Sequence, residues 1–184
     1  MFQNIRQKAP LGLIYAFGSG FINIIIYTFF PKILFHHPKI HFTHLIAISV
    51  WGGALFQYPI RLLTRYLARS TILRLINIVV MAIIPLSAFF FNSLWLIGCL
   101  AVLGGCLFSI YPMVIGYTCH QFKKEDYFNI IQTLLLTYGI GGILAPFVLI
   151  LLSHIMNNFL ATFGTVFMMN MVLFVLSFIV KRSS

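Results

Sequence analysis

The side chains able to do chemistry are few, and their spacing argues against catalysis. Glu125 and Asp126 are the only carboxylates, set against twelve lysines and arginines. Nothing in the sequence matches a Ser-His-Asp set, a phosphate-cradling glycine loop or a paired-carboxylate site, so no enzyme is expected. His36, His37, His41 and His44 form a tract that could hold a metal. Pro38 interrupts any helical face they would share, and no cysteine or acid stands near, so the tract reads as a solvated interfacial loop without a metal. Cys99, Cys106 and Cys119 show no CxxC spacing and read as small apolar packing residues. No cofactor is implied.

The remaining polar groups are uncharged and sit inside long apolar runs: Asn23, Gln57, Asn77, Gln132 and Asn170. In lipid such groups are expected to bond between helices. No Asp, Glu, Lys or Arg falls at the centre of a run, and intramembrane ionisable residues are the usual carriers of proton or ion coupling. Any coupling carboxylate would therefore come from a partner.

The elements that hold these groups follow from composition. Hydrophobic residues make up 61% of the 184 positions and charged residues 8%, far below the roughly 25% charged residues of a water-soluble domain. Lipid must be the main solvent, and a chain of this length accommodates six spans of about 20 residues with short loops. Arg6 and Lys8 precede the first apolar run as they would in a signal peptide. That run is too long and lacks a small-residue cleavage site, so it reads as a retained span. Pro10 opens it and Pro31 closes it after Phe30. From Leu75 to Phe122 no residue carries a formal charge, about twice what one span uses, so the stretch must fold back, at Phe91-Asn92-Ser93. The uncharged stretch from Tyr127 to Val180 turns in the same way between His154 and Asn158. The expected all-α membrane domain is a single unit with spans at about 11–30, 43–63, 71–90, 94–118, 130–153 and 159–180. No internal repeat is legible.

Basic residues fix the expected orientation, because Lys and Arg in short loops are retained in the cytoplasm. Arg6, Lys8, Arg61, Arg65, Arg69, Arg74, Lys123, Lys124, Lys181 and Arg182 fall on one side, and only Lys32 and Lys39 on the other. Both termini are therefore expected in the cytoplasm. Because these charges punctuate apolar runs, the net charge of +10 marks membrane loops, and no nucleic-acid partner is expected.

The turn between the second and third spans, Gln57-Tyr58-Pro59-Ile60-Arg61-Leu62-Leu63-Thr64-Arg65-Tyr66-Leu67-Ala68-Arg69, resembles the loop motif of the major facilitator superfamily. In one bacterial branch that motif reads roughly Gln-aromatic-Pro-Leu-Gly-Arg-Leu-Ser-Asp-Arg-x-Asp-Arg-Arg. Gln57, Tyr58, Pro59, Leu63 and Arg69 match it, and Thr64 stands in for Ser. Tyr111-Pro112, then Leu135, Leu136, Tyr138-Gly139-Ile140-Gly141 and Pro146, are similar to the same branch's C-terminal half. Arg61 replaces the motif's turn glycine, Arg65 its Asp and Tyr66 the following Arg, while Ala145 replaces the glycine before Pro146. Arg65 places positive charge near a helix start where the motif's Asp would favour the helix dipole. Anionic headgroups could offset it.

The resemblance implies a half of a major facilitator superfamily fold in a bacterial inner membrane. Its expected function is transport of an unidentified small solute along a path between two halves. The missing wall would come from a separately encoded N-terminal half or from a second copy in a homodimer. A truncated, non-transporting remnant and a non-transport subunit packed with other membrane proteins are the alternative readings. By the same resemblance the first span lines the cavity, which makes Asn23 and Tyr27 its candidates, joined by Trp51 and Tyr111. Gln57, Pro59, Arg61, Arg65 and Arg69 form the loop motif. Gly139, Gly141, Gly142 and Pro146 could bend the fifth span as a gate, because backbone groups freed there can be re-satisfied by neighbouring helices. Small residues spaced four apart, such as Ala16 with Gly20 and Gly141 with Ala145, read as close helix packing.

Overall fold

A backbone in hydrocarbon must bond all its polar groups internally, and uninterrupted apolar runs can do so only as helices. The computed structural model of the protein describes residues 2–34, 42–90 and 93–179. It contains α1 (Phe2–Lys8), α2 (Pro10–Leu34), α3 (Phe42–Leu63), α4 (Arg69–Phe89), α5 (Trp95–Cys119), α6 (Tyr127–Ile155) and α7 (Asn158–Ile179). A short 3-10 turn, Lys124–Asp126, precedes α6. No strand occurs among the described residues, and six helices, α2 to α7, are long and apolar enough to cross a membrane.

Two local features differ from the sequence expectation. The short α1 lies before the first span and is anchored by Ile5 and Ala9, both fully buried, and by Lys8, whose Nζ stands 5.5 Å from the Phe122 ring centroid. Pro31 does not end the first span: α2 continues to Leu34. A proline removes one N–H and crowds the carbonyl four residues back. Near the end of a span, the freed carbonyl meets the polar interface, where that loss is small. Pro59, Pro85, Pro112 and Pro146 are likewise inside helices.

Helix pairing is set mainly by glycine. α2 packs most extensively on α6, and α3 on α5. A Cβ on Gly20 would strike the Tyr138 carbonyl, and one on Gly141 the Phe17 carbonyl, so the α2 and α6 backbones touch. At the other crossing a Cβ on Gly52 would strike the Ala101 carbonyl, and one on Gly104 the Ser49 carbonyl. Such close backbone approach replaces the hydrophobic drive that lipid cannot supply between helices.

α4 packs on α5 and α7, and α2 also touches α5 and α7. Exchanging α2, α3 and α4 with α5, α6 and α7 carries the α2–α6 pair onto α5–α3. It carries α4–α5 onto α7–α2, and returns α2–α5 and α4–α7 to themselves. Three spans per unit make the two units inverted in the membrane. This repeat, illegible in the sequence, lives in the packing, since a crossing requires only a small residue at the contact and leaves its neighbours free to vary.

α2 and α5 form the centre, with 72% and 61% of their span windows buried, while α3 is the least covered at 22%. A polar tie joins α2, α4 and α7 toward the basic end. Asn77 Nδ2 donates to the Tyr15 hydroxyl at 2.6 Å. Arg74 donates to the Ser177 carbonyl at 2.6 Å and to its Oγ at 3.2 Å, with its guanidinium 4.2 Å from the Phe178 ring centroid.

Candidate functional site

The α2–α6 crossing determines which side chains meet near the middle of the bundle. With Gly20 against the Tyr138 carbonyl, Asn23 is carried one turn along α2 to the Tyr138 side chain. Its Nδ2 donates to the Tyr138 hydroxyl at 3.3 Å, and Asn23 itself is buried. The Tyr138 ring packs on Tyr111 of α5 with centroids 4.8 Å apart. The Tyr111 hydroxyl is buried and has no hydrogen-bond partner. One turn beyond Asn23, Tyr27 meets Phe108 edge-on at 5.5 Å. Three helices thus present an amide, three phenol hydroxyls and rings packed at an angle to one another, with no charge among them. Such a surface can bond a polar uncharged solute group and lie flat against an apolar or aromatic one.

Asn23, Tyr27 and Tyr111 therefore come together. Trp51 does not join them: it is 68% exposed, on an α3 stretch that also exposes Val50 and Leu55. Tyr138 and Phe108 are members that sequence reasoning did not select. The available signal was the spacing of Tyr138, three residues before the contact glycine Gly141.

The expectation that the uncharged polar residues mostly bond between helices is corrected in part. Asn23 and Asn77 do so. Asn170 returns its amide to Val166 of its own helix at 2.8 Å, and Gln57 and Gln132 are exposed. The two glutamines sit on α3 and α6, the spans with the smallest buried share.

The glycine segment of α6 is divided. Gly139 is exposed with open space where a Cβ would project, whereas Gly141 meets α2 backbone and Gly142 meets Ile24. Pro146 is half-buried. Of the loop-motif residues, Gln57, Arg61 and Arg69 line a cleft of about 320 Å³ between α3, the start of α4 and α5. Arg69 donates to the Gly116 carbonyl of α5. Pro59 and Arg65 are exposed and outside the cleft. His36, His37 and His41 lie outside the described residues, and among the described residues no group of His, Cys, Asp or Glu could hold a metal ion.

No family model matches the chain, and no solved structure matches it. Curated relatives do. An uncharacterized MFS-type transporter YcaD of Escherichia fergusonii is 28% identical over 159 residues, covering 84% of this chain and 40% of the relative. The transporter of the same name from Escherichia coli O17:K52:H18 shares 28% identity with the same coverage, and that of Salmonella arizonae shares 26% over 157 residues. The chain thus spans well under half the length of the relatives it matches. The chain, with six helices long and apolar enough to cross a membrane, is similar to MFS-type transporters over 84% of its length and resembles the C-terminal six-helix half of such a fold.

Proposed function

We propose that this chain forms one wall of a transmembrane path for a small, uncharged or weakly polar solute. The supporting observation is the Asn23–Tyr138–Tyr111 cluster, which falls within the middle parts of α2, α5 and α6; transporters of inverted-repeat design hold their substrates near mid-membrane. The ten basic residues on one side orient that wall with both termini in the cytoplasm of a bacterial inner membrane. The opposite wall is a separately encoded N-terminal half or a second copy of the chain. A second copy needs no reversal of topology, because the halves of this superfamily are related by an axis along the membrane normal.

Membrane vesicles containing the chain, incubated with a mixture of small metabolites and assayed by mass spectrometry, test the proposal. At least one solute should accumulate above empty vesicles, and Asn23→Ala or Tyr138→Ala should abolish the excess. Accumulation that survives both substitutions would remove the cluster from the path. If the chain alone moves nothing, disulfide cross-linking from Asn23→Cys or Tyr27→Cys, with the three native cysteines replaced, reports whether a second copy faces the cluster.

A further inference from the structure

The cleft between α3, α4 and α5 has a chemistry unlike that of the central cluster. Arg61 and Arg69 line it together with Gln57, Thr64 and Ser109. Arg69 gives one guanidinium N–H to the Gly116 carbonyl, which fixes the side chain across the cleft and leaves other donors free. Among the described residues neither arginine has a carboxylate partner, and the only two acids of the chain stand at 125 and 126. α4 begins at Arg69 with Ala68 as its N-cap, without a side-chain cap and without an acid in its first turn. Its positive end and unbonded N–H groups therefore reinforce the arginines. A second cleft of about 340 Å³ shares Thr64 and Arg69 and adds Ser70 and His120. An exposed Arg61 guanidinium, a half-buried Arg69 guanidinium and a helix N-terminus, with no carboxylate partner among the described residues, make an arrangement whose missing component is an anion.

We propose that this cleft binds a phosphate group, presented either by the headgroup of an anionic phospholipid or by a soluble phosphate. Guanidinium groups suit phosphate because their forked donors bond two of its oxygens at once. The cleft is deep enough to reach Ser109 and Met113 of α5, so a bound phosphate ties the α3–α4 turn to α5 in the way that a carboxylate of the chain's own would. Arg65, exposed in the same turn, adds to the attracting field without contacting the ligand.

The full chain, purified in a neutral detergent, is titrated with short-chain phosphatidylglycerol, with phosphatidylcholine of the same chain length, and with inorganic phosphate. Bound ligand is counted by native mass spectrometry, and unfolding is followed by tryptophan fluorescence. Phosphatidylglycerol should bind saturably and raise the unfolding midpoint. Arg61→Gln should weaken binding about fivefold, the effect of one basic residue near an anionic headgroup. Arg61→Lys should recover part of that loss, and Arg6→Gln, outside the cleft, should change nothing. If inorganic phosphate alone gives the same Arg61-dependent shift, the site stands with a soluble source. Equal affinity for phosphatidylcholine, or equal weakening by Arg6→Gln, overturns it. Should Arg61→Gln fail to fold, the wild-type salt dependence decides: saturable binding insensitive to ionic strength also overturns the site.

Discussion

The α2–α6 and α3–α5 crossings use one device for two purposes. Each brings two backbones together through a pair of glycines, Gly20 and Gly141 in the first and Gly52 and Gly104 in the second, and the internal exchange of three-helix units maps one onto the other. Their surroundings differ. The first crossing carries the polar Asn23–Tyr138 pair directly beside it. The second is flanked by Gly53 against Phe108 and Gly105 against Phe56 and carries the small Ser49 hydroxyl at the Gly104 contact, with the arginine cleft at its basic end. A symmetric scaffold therefore bears an asymmetric set of side chains. What must be equal is the approach of the backbones, and what is free to diverge is the residue one turn away.

Removing that approach gives the largest expected effect. Gly141→Leu and Gly104→Leu each drive a side chain into a facing carbonyl that belongs to a helix and cannot swing aside. Overpacking a core costs about 1 to 3 kcal/mol where side chains can yield, and the loss here should reach or exceed the upper end. Both variants should lose the monodisperse peak in detergent, while Gly139→Ala, which faces open space, should match the parent. Collapse of one crossing with survival of the other would break their equivalence.

Much of this scaffold was legible in the sequence, because lipid imposes strong rules. The six-span all-α class and the superfamily resemblance followed from uncharged runs and from the motif residues at 57–69. Pairing was not legible. Gly141 and Gly20 announce that some helix comes close, but which carbonyl each one meets depends on the crossing of two distant spans. Tyr138 is hidden for that reason, since its hydroxyl meets Asn23 only where Gly20 docks on the Tyr138 carbonyl. Trp51 depends on pairing in the same way: Gly52 and Gly104 set the rotation of α3, and that rotation leaves Trp51 exposed and apart from the Asn23–Tyr138 pair. Pro31 predicts a stop by a rule drawn from helices in water, whereas α2 continues another turn.

Smaller effects distinguish a structural polar pair from a solute-binding one. Asn23→Ala removes a single interhelical hydrogen bond, worth about 0.6 kcal/mol on average in a membrane, and should lower the melting midpoint slightly. Tyr111→Phe removes a hydroxyl that has no partner, so stability should be unchanged or slightly higher. If the cluster lines a path, Tyr111→Phe nevertheless reduces solute accumulation in the vesicle assay. A stability loss from Tyr111→Phe as large as that from Asn23→Ala would assign its hydroxyl to packing and weaken the contrast between the crossings.

The central claim, that one crossing opens onto a water-accessible path, is tested most directly by thiol reactivity in intact membranes. With Cys99, Cys106 and Cys119 replaced by alanine, single substitutions Tyr27→Cys, Tyr111→Cys and Met168→Cys are exposed to a maleimide, which reacts only with a thiol that water can ionise. Met168 is exposed on α7, which takes no part in either glycine crossing. The account predicts labelling at positions 27 and 111 and none at 168. Silence at both cluster positions, or labelling no greater than at 168, would contradict it.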